Sequence, residues 1–378
     1  MSNLLVIGNG FDLSIGARTS YKCFFESQYY EQTRETIFQW IELWDRGERI
    51  PPNVNLVQYD FNCWDFLFCL ISKGHEKDLE RIKWCDIEKV IYDSLINTDI
   101  SSFSWEIVRE ILDDNLNNRQ YHAGDPIGAQ YLRTKTSDRS IRMMVDYLSL
   151  QENWRESSVD KTAFYDALLN ALKQFELSFG MYIRLTTSSD DYRDRACHQA
   201  EKLLDDSVDR WIDTFNYSSF RCNRTKIRHI NGDDDAPIFG VNLSLKEEAD
   251  RPELIRFSKT SRRIHQDTEF DRRNKEWSAM RVENAVVFGH SLNQMDYDYF
   301  HYLFTMLQFH TFDLDKMGSI RFVYKLYDTG RSEEIKSRFA DSVHELLSCY
   351  ENNVSSNNSH VLINLLRFSN KLSIDKLD

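Results

Sequence analysis

The chain has 378 residues, a formal charge of −13, 41% hydrophobic residues and a heavy aromatic load (24 Phe, 18 Tyr, 8 Trp), with only 13 Gly and 5 Pro. At ~100–200 residues per domain this suits about two domains, and it excludes collagen-like, low-complexity and Gly/Pro-turned all-β architectures as well as general disorder. The acidic balance also has the wrong sign for a surface that gains affinity by neutralising phosphates, so nucleic acid is disfavoured as a partner.

The longest apolar runs, such as 66–71, fall well short of the ~18–20 residues that cross a bilayer, and no basic flank precedes Leu4–Ile7. No membrane association and a cytoplasmic location are expected. The cysteines at 23, 63, 69, 85, 197, 222 and 349 are odd in number and contain no Cys-x-x-Cys. They suggest neither a disulfide framework nor a zinc site, and are read as small buried hydrophobes.

In chain order, residues 3–8 form a continuous apolar run ending in Gly, the pattern of a parallel strand covered on both faces. A turn follows, Gly8-Asn9-Gly10-Phe11-Asp12-Leu13-Ser14-Ile15-Gly16. From about 21 to 206 the spacing is helical, with one stripe on Phe164, Leu168, Leu172, Phe175, Phe179 and Tyr182, another on Phe103, Ile107 and Ile111, and a third on Trp64, Leu67, Phe68 and Ile71. Ser157 and Asp160 are candidate caps for the first of these helices. Strand patterns return at 210–215, 226–230, 236–241, 284–289 and 319–326, alternating with helical patterns at 296–308 and 335–350. Strands alternating with helices predict an α/β fold with a mostly parallel, doubly wound, Rossmann-like sheet. The predicted core is 1–20 plus 207–350, interrupted by a helical insertion over 21–206 and followed by a C-terminal tail, 351–378.

Two kinds of position bear on chemistry. The glycine turn is either a phosphate cradle at a helix N-terminus or a tight turn needing positive φ. Asp12 either holds a ribose hydroxyl or caps the helix that starts there. The second kind is a series of strand ends: Phe215-Asn216-Tyr217-Ser218, His229-Ile230-Asn231-Gly232, Phe239-Gly240-Val241-Asn242 and Phe288-Gly289-His290-Ser291. In a doubly wound sheet ligands lie beyond the carboxyl ends of strands, so four such ends in series are expected to converge on one crevice. A basic stretch, Arg251, Arg256, Lys259, Arg262 and Arg263 with Arg272, Arg273 and Lys275 after it, is read chiefly as a solvated face, the alternative being contact with a pyrophosphate or a nucleic-acid strand. Asp233-Asp234-Asp235 is read as a solvated turn, and no metal is expected.

These motifs, with Thr19-Ser20-Tyr21, Trp84-Cys85-Asp86-Ile87-Glu88, Phe257-Ser258-Lys259-Thr260, Arg263-Ile264 and Asp296, resemble in order the bacteriophage abortive infection protein AbiH family. The resemblance implies a bacterial anti-phage role. The same series is similar, more distantly, to sirtuin-like NAD-consuming domains, through Gly8–Gly10, Gly16–Arg18, Asn216–Tyr217, Asn231–Gly232, Phe239–Gly240 and Gly289–Leu292. That likeness implies a sirtuin-like core binding NAD or a related nucleotide, with Gly8, Asn9, Gly10, Phe11, Asp12 and Thr19 on one side. Gly289, Ser291, Leu292, Asp296, Lys259 and Arg263 would complete the binding set.

Cleaving the nicotinamide–ribose bond builds oxocarbenium character, so the site needs an amide to orient ribose and water, and a base. Asn216 would orient them, and His229, Asn231 and His290 complete the candidate catalytic set. Where sirtuin-like relatives read His-Gly, this chain reads Asn231-Gly232, and on a strand His229 lies about 6–7 Å further back. The expected function is an NAD glycohydrolase-like defence protein, with a homo-oligomer or a phage-derived trigger as partner. The alternatives are a catalytically silent nucleotide sensor and a nucleic-acid-targeting toxin.

Overall fold

The computed structural model describes residues 2–45, 62–74, 84–95, 160–204, 209–266, 277, 280–326, 329–354 and 361–377. The chain opens with β1 (Ser2–Ile7), α1 (Asn9–Ser14), α2 (Tyr21–Phe25), α3 (Gln28–Asp45), α4 (Cys63–Gly74) and α5 (Trp84–Leu95). It continues with α6 (Lys161–Thr187), α7 (Asp190–Leu203), β2 (Asp209–Thr214), β3 (Thr225–His229), α8 (Leu245–Asp250) and α9 (Lys259–Gln266). The last part holds β4 (Val282–Phe288), α10 (Tyr297–Met306), β5 (Ser319–Tyr324), α11 (Ser332–Val354), α12 (Val361–Phe368) and β6 (Leu372–Lys376). These elements fall into two compact units: 1–20, 180–237 and 263–378 form the first, and 21–179 with 238–262 the second.

The first unit is built on one six-stranded sheet, ordered β3-β2-β1-β4-β5-β6, in which every pair is parallel. Parallel neighbours require crossover connections, and those run right-handed. Winding outward from β1 in both directions therefore puts helices on both faces. On one face Leu5 and Ile7 pack with Tyr192, Ala196 and Ala200 of α7. On the other, Leu4 and Val6 share a core with Phe300 of α10, Leu346 of α11 and Leu366 of α12. The unbroken apolar run of β1 follows from this double cover. The fold is α/β, an all-parallel doubly wound sheet joined to a helical insertion.

Two expectations need correction. The run over 236–241 is not a strand: it makes one isolated bridge, Val241 to Ser258, and from Ile238 onward it belongs to the second unit. Its apolar character serves burial, since Phe239 N–H donates to the buried Glu176 carboxylate of α6 at 2.6 Å instead of joining a ladder. The segment read as a C-terminal tail contains α12 and the sheet's sixth strand, β6, which covers the edge of β5.

In the second unit, aromatic rings from α2, α3, α4 and α6 interlock, with Phe24, Phe25, Tyr30, Phe68 and Phe175 in mutual contact. The helical stripe of α6 is buried from Phe164 to Phe179, and Asp160 Oδ1 caps the helix by accepting from Ala163 N–H at 2.8 Å. Trp64, Leu67 and Phe68 of α4 are buried, and Trp64 Nε1 donates to the Leu168 carbonyl at 2.9 Å. Ser157, the 103–111 stripe and Arg272, Arg273 and Lys275 lie outside the described residues, as does the Ile71 side chain.

Candidate functional site

The order of the strands puts a topological switch between β1 and β4, the place where doubly wound sheets hold ligands. Around it, the carboxyl ends of β3, β2, β1 and β4 deliver Asn231, Asn216, the glycine turn and His290 to neighbouring positions on one sheet edge. Three of the four expected strand ends therefore sit together. The fourth, at Phe239-Gly240, belongs to the second unit.

The glycine turn is closed by backbone. Gly8 N–H donates to Phe288 O at 3.1 Å, Gly10 N–H to Gly289 O at 2.8 Å, and Phe11 N–H to Gly8 O at 2.8 Å. Gly8 is extended, with φ −123°, so positive φ is not what demands glycine there. Close approach does. A Cβ on Gly10 would lie 2.7 Å from Gly289 Cα, and one on Gly289, whose φ is +70°, 2.2 Å from Phe11 N. The glycines thus join the ends of β1 and β4, and the N–H groups of Gly8, Gly10 and Phe11 are engaged by protein carbonyls. Phe11 itself is core, stacked on Phe220 at 5.7 Å.

Asp12 is fully buried and accepts hydrogen bonds from Ser218 Oγ at 2.7 Å and Tyr192 OH at 2.9 Å. Burial raises its pKa from the ordinary 3.8 to about 6, against the pull of the Ser218, Tyr192, Thr19 and Asn216 side chains. The same surroundings push the Tyr192 hydroxyl up. Asp12 therefore ties α1, α7 and the segment after β2 into one cluster. Neither Tyr192 nor Ser218 carries a sequence signal for this role, although Ser218 closes the Phe215–Ser218 motif. Beside them, Thr19 Oγ1 donates to Asn9 Oδ1 at 2.8 Å.

Asn216 and Asn231 each stand two residues beyond the paired positions Thr214 and His229, at the ends of adjacent strands. Both are buried, at 4% and 0% exposure. Asn216 lies near enough to Asp12 to lower its pKa but outside hydrogen-bond geometry, and neither atom of its amide has a partner among the described residues. Asn231 accepts from an Arg263 guanidinium nitrogen at 2.5 Å, while its Nδ2 has no partner. An unsatisfied buried polar group costs roughly 1–3 kcal/mol, so the Asn216 amide and Asn231 Nδ2 make this sheet edge the candidate site.

The two histidines differ. His229 Nδ1 lies 3.2 Å from the Asn216 carbonyl; a carbonyl only accepts, so Nδ1 carries a proton. His290 has the opposite tautomer: Nδ1 accepts from Leu292 N–H at 2.9 Å, and Nε2 faces Asp296 at 3.4 Å. Its two nitrogens hold the 289–292 turn, where Leu292 is buried with φ +55°. Ser291 is exposed on that turn.

Lys259 is placed in the second unit, where it is buried and pairs with Glu88 of the Trp84–Glu88 motif at 2.7 Å. Arg262, next to it, is buried in an ion pair with Glu176. The basic stretch is thus partly interior. Asp234 and Asp235 are held by Arg184, and Asp233 caps the backbone of Asp235 and Ala236. The three carboxylates come within 4.8 Å of one another, with no other candidate ligand among the described residues. Cys197 and Cys222 are paired, with Cα atoms 5.3 Å apart, which corrects the expectation that the cysteines make no disulfide.

Sheet order and strand-end cluster together define a doubly wound α/β protein with its candidate site at the carboxyl edge. The family model of bacteriophage abortive infection AbiH matches residues 4–314. The chain belongs to that family, and membership implies a role in abortive infection of phage. No curated protein and no solved structure matches the chain. Among the described residues no helix is long and apolar enough to cross a membrane.

Proposed function

We propose that this AbiH protein binds NAD or a related nucleotide at the carboxyl edge of its sheet and hydrolyses the N-glycosyl bond when infection activates it. The observation carrying this reading is the buried Asn216 amide and the buried Asn231 Nδ2, both without a partner among the described residues, at in-register strand ends beside the β1/β4 switch. The ordered motifs similar to sirtuin-like NAD-consuming domains support the choice of ligand.

In this reading the Asn216 amide orients the ribose hydroxyls and the attacking water. His229, held by its Nδ1–H bond to the Asn216 carbonyl, is the general base for that water in this reading. Arg263 fixes Asn231, whose Nδ2 is then aimed as a donor. Positioning and general-base assistance of this kind typically contribute ~10²–10⁴ in rate. His290 serves as a support for the β4 turn rather than as the base.

Purified protein incubated with NAD, under resting and phage-activated conditions, is expected to release nicotinamide, and Asn216→Ala to reduce turnover at least ~100-fold with its fold intact. Equal turnover in the variant, or none by wild type in any condition, removes the enzyme. A second reading, a nucleotide sensor without catalysis, is favoured by Asn231 standing where sirtuin-like domains, which these motifs resemble, carry histidine. Tight NAD or ADP-ribose binding by calorimetry without turnover would select it.

A further inference from the structure

The segment that follows β2, residues 215–224, has no regular secondary structure, yet Phe215 and Phe220 are buried on opposite faces of the sheet. It carries Asn216. Two ties bind it to α7. One is polar and runs through Asp12, which takes the Ser218 hydroxyl from the segment and the Tyr192 hydroxyl from the helix. The other is Cys197 on α7 with Cys222 in the segment. Their Cα separation of 5.3 Å falls within the usual disulfide range of ~4.4–6.8 Å, so the backbone accommodates the bond without moving. Among the described residues, Cys23, Cys63 and Cys69 belong to the second unit, and Cys349 lies on α11.

We propose that Cys197 and Cys222 form a reversible, redox-sensitive clamp that fixes the segment after β2, and with it Asn216, against α7. Cys197 is half-buried and the more open of the two, so it reacts first. With a glutathione disulfide as oxidant, the Cys197 thiolate attacks one glutathione sulfur, breaks its S–S bond and releases one glutathione thiolate. The Cys222 thiolate then attacks Cys197 sulfur and releases the second. Two protein thiols are oxidised to one disulfide, one glutathione disulfide is reduced to two thiols, and the two thiol protons leave with them. Closing this 25-residue separation removes open conformations from a segment that the backbone bond from Phe215 N–H to Ile7 O ties to β1 only at its start. The inference does not depend on which ligand the sheet edge takes.

The test compares the full chain after incubation with glutathione disulfide and after reduction by a phosphine. Seven titratable thiols are expected in the reduced, denatured chain and five in the oxidised one, with one linked peptide pair containing Cys197 and Cys222. Amide hydrogen exchange over 215–222 is expected to be roughly tenfold slower in the oxidised chain, while β1 and β4 stay unchanged. Cys197→Ser and Cys222→Ser are each expected to exchange at the reduced rate in both conditions; should either fail to fold, the two redox states of the unmodified chain carry the comparison. Seven thiols after oxidation, a different cysteine pairing, or equal exchange over 215–222 in both states would overturn the proposal.

Discussion

Asp12 shows how burial turns one side chain into a pH-dependent element. Its carboxyl takes up a proton near pH 6 in the folded chain, whereas in the unfolded chain it does so near 3.8. Ionised Asp12 therefore costs stability above about pH 6, and the cost fades as pH falls from 6 toward 4. Asp12→Asn, which keeps the shape and stays neutral, is expected to flatten that window. Relative to the variant, wild type should gain on the order of 1–3 kcal/mol between pH 7 and 4.5, read by denaturant titration at each pH. The comparison with the variant also cancels Asp65, another buried carboxyl whose pKa is raised to about 6. Equal pH slopes in the two proteins would show that Asp12 does not titrate in this range. Of this the sequence showed only that an acid stood in the turn, since Tyr192 and Ser218 approach it from 180 and 206 positions away.

At the scale of elements, the junction between β1 and β4 depends on three glycines for two different reasons. Gly8 and Gly10 are needed for space, and Gly289 for both space and positive φ. Gly289→Ala, whose Cβ meets the backbone of Phe11 and Gly10, is expected to destabilise by more than ~2 kcal/mol. Gly16→Ala is the control: it also has positive φ, at +79°, but its Cβ would meet only the end of the Arg195 side chain at 3.3 Å, and a loss of about 1 kcal/mol is expected. Similar losses in the two variants would mean that backbone conformation, not close approach, sets the requirement. The Gly-x-Gly spacing was visible in the sequence. Whether it admitted a phosphate or another strand's turn was not, because that depends on Gly289, nearly three hundred residues downstream.

Over the whole molecule, the segment 238–262 is held within the second unit by buried ion pairs, Lys259 with Glu88 and Arg262 with Glu176. Removing one partner of such a pair leaves a buried charge uncompensated, at a cost of about 3–5 kcal/mol. Lys259→Met is expected to lose this much by denaturant titration, and Lys259→Met combined with Glu88→Leu to recover at least half. A Lys259→Met protein of unchanged stability but weakened NAD affinity would restore the phosphate-contact role expected from sequence. The same long-range pairing explains why the basic stretch reads as a surface from sequence: Glu88 and Glu176 lie 171 and 86 positions from their partners, so no local charge count reveals them.

Local pattern alone determined that the chain is a parallel α/β protein interrupted by helices. An unbroken Leu4–Ile7 run, a stripe every three or four residues from Phe164 to Tyr182, and alternation from Ile320 are properties of adjacent residues and their periods. The family was legible for the same reason, since its motifs are short and occur in order. Only the tertiary structure decided that 236–241 leaves the sheet, that 372–376 joins it, that the β1 and β4 turns lock together, and that Asn216 and Asn231 end adjacent strands as buried side chains. Those outcomes are set by which distant segments compete for the same hydrogen bonds and the same buried volume, a competition that no local stretch of the chain encodes.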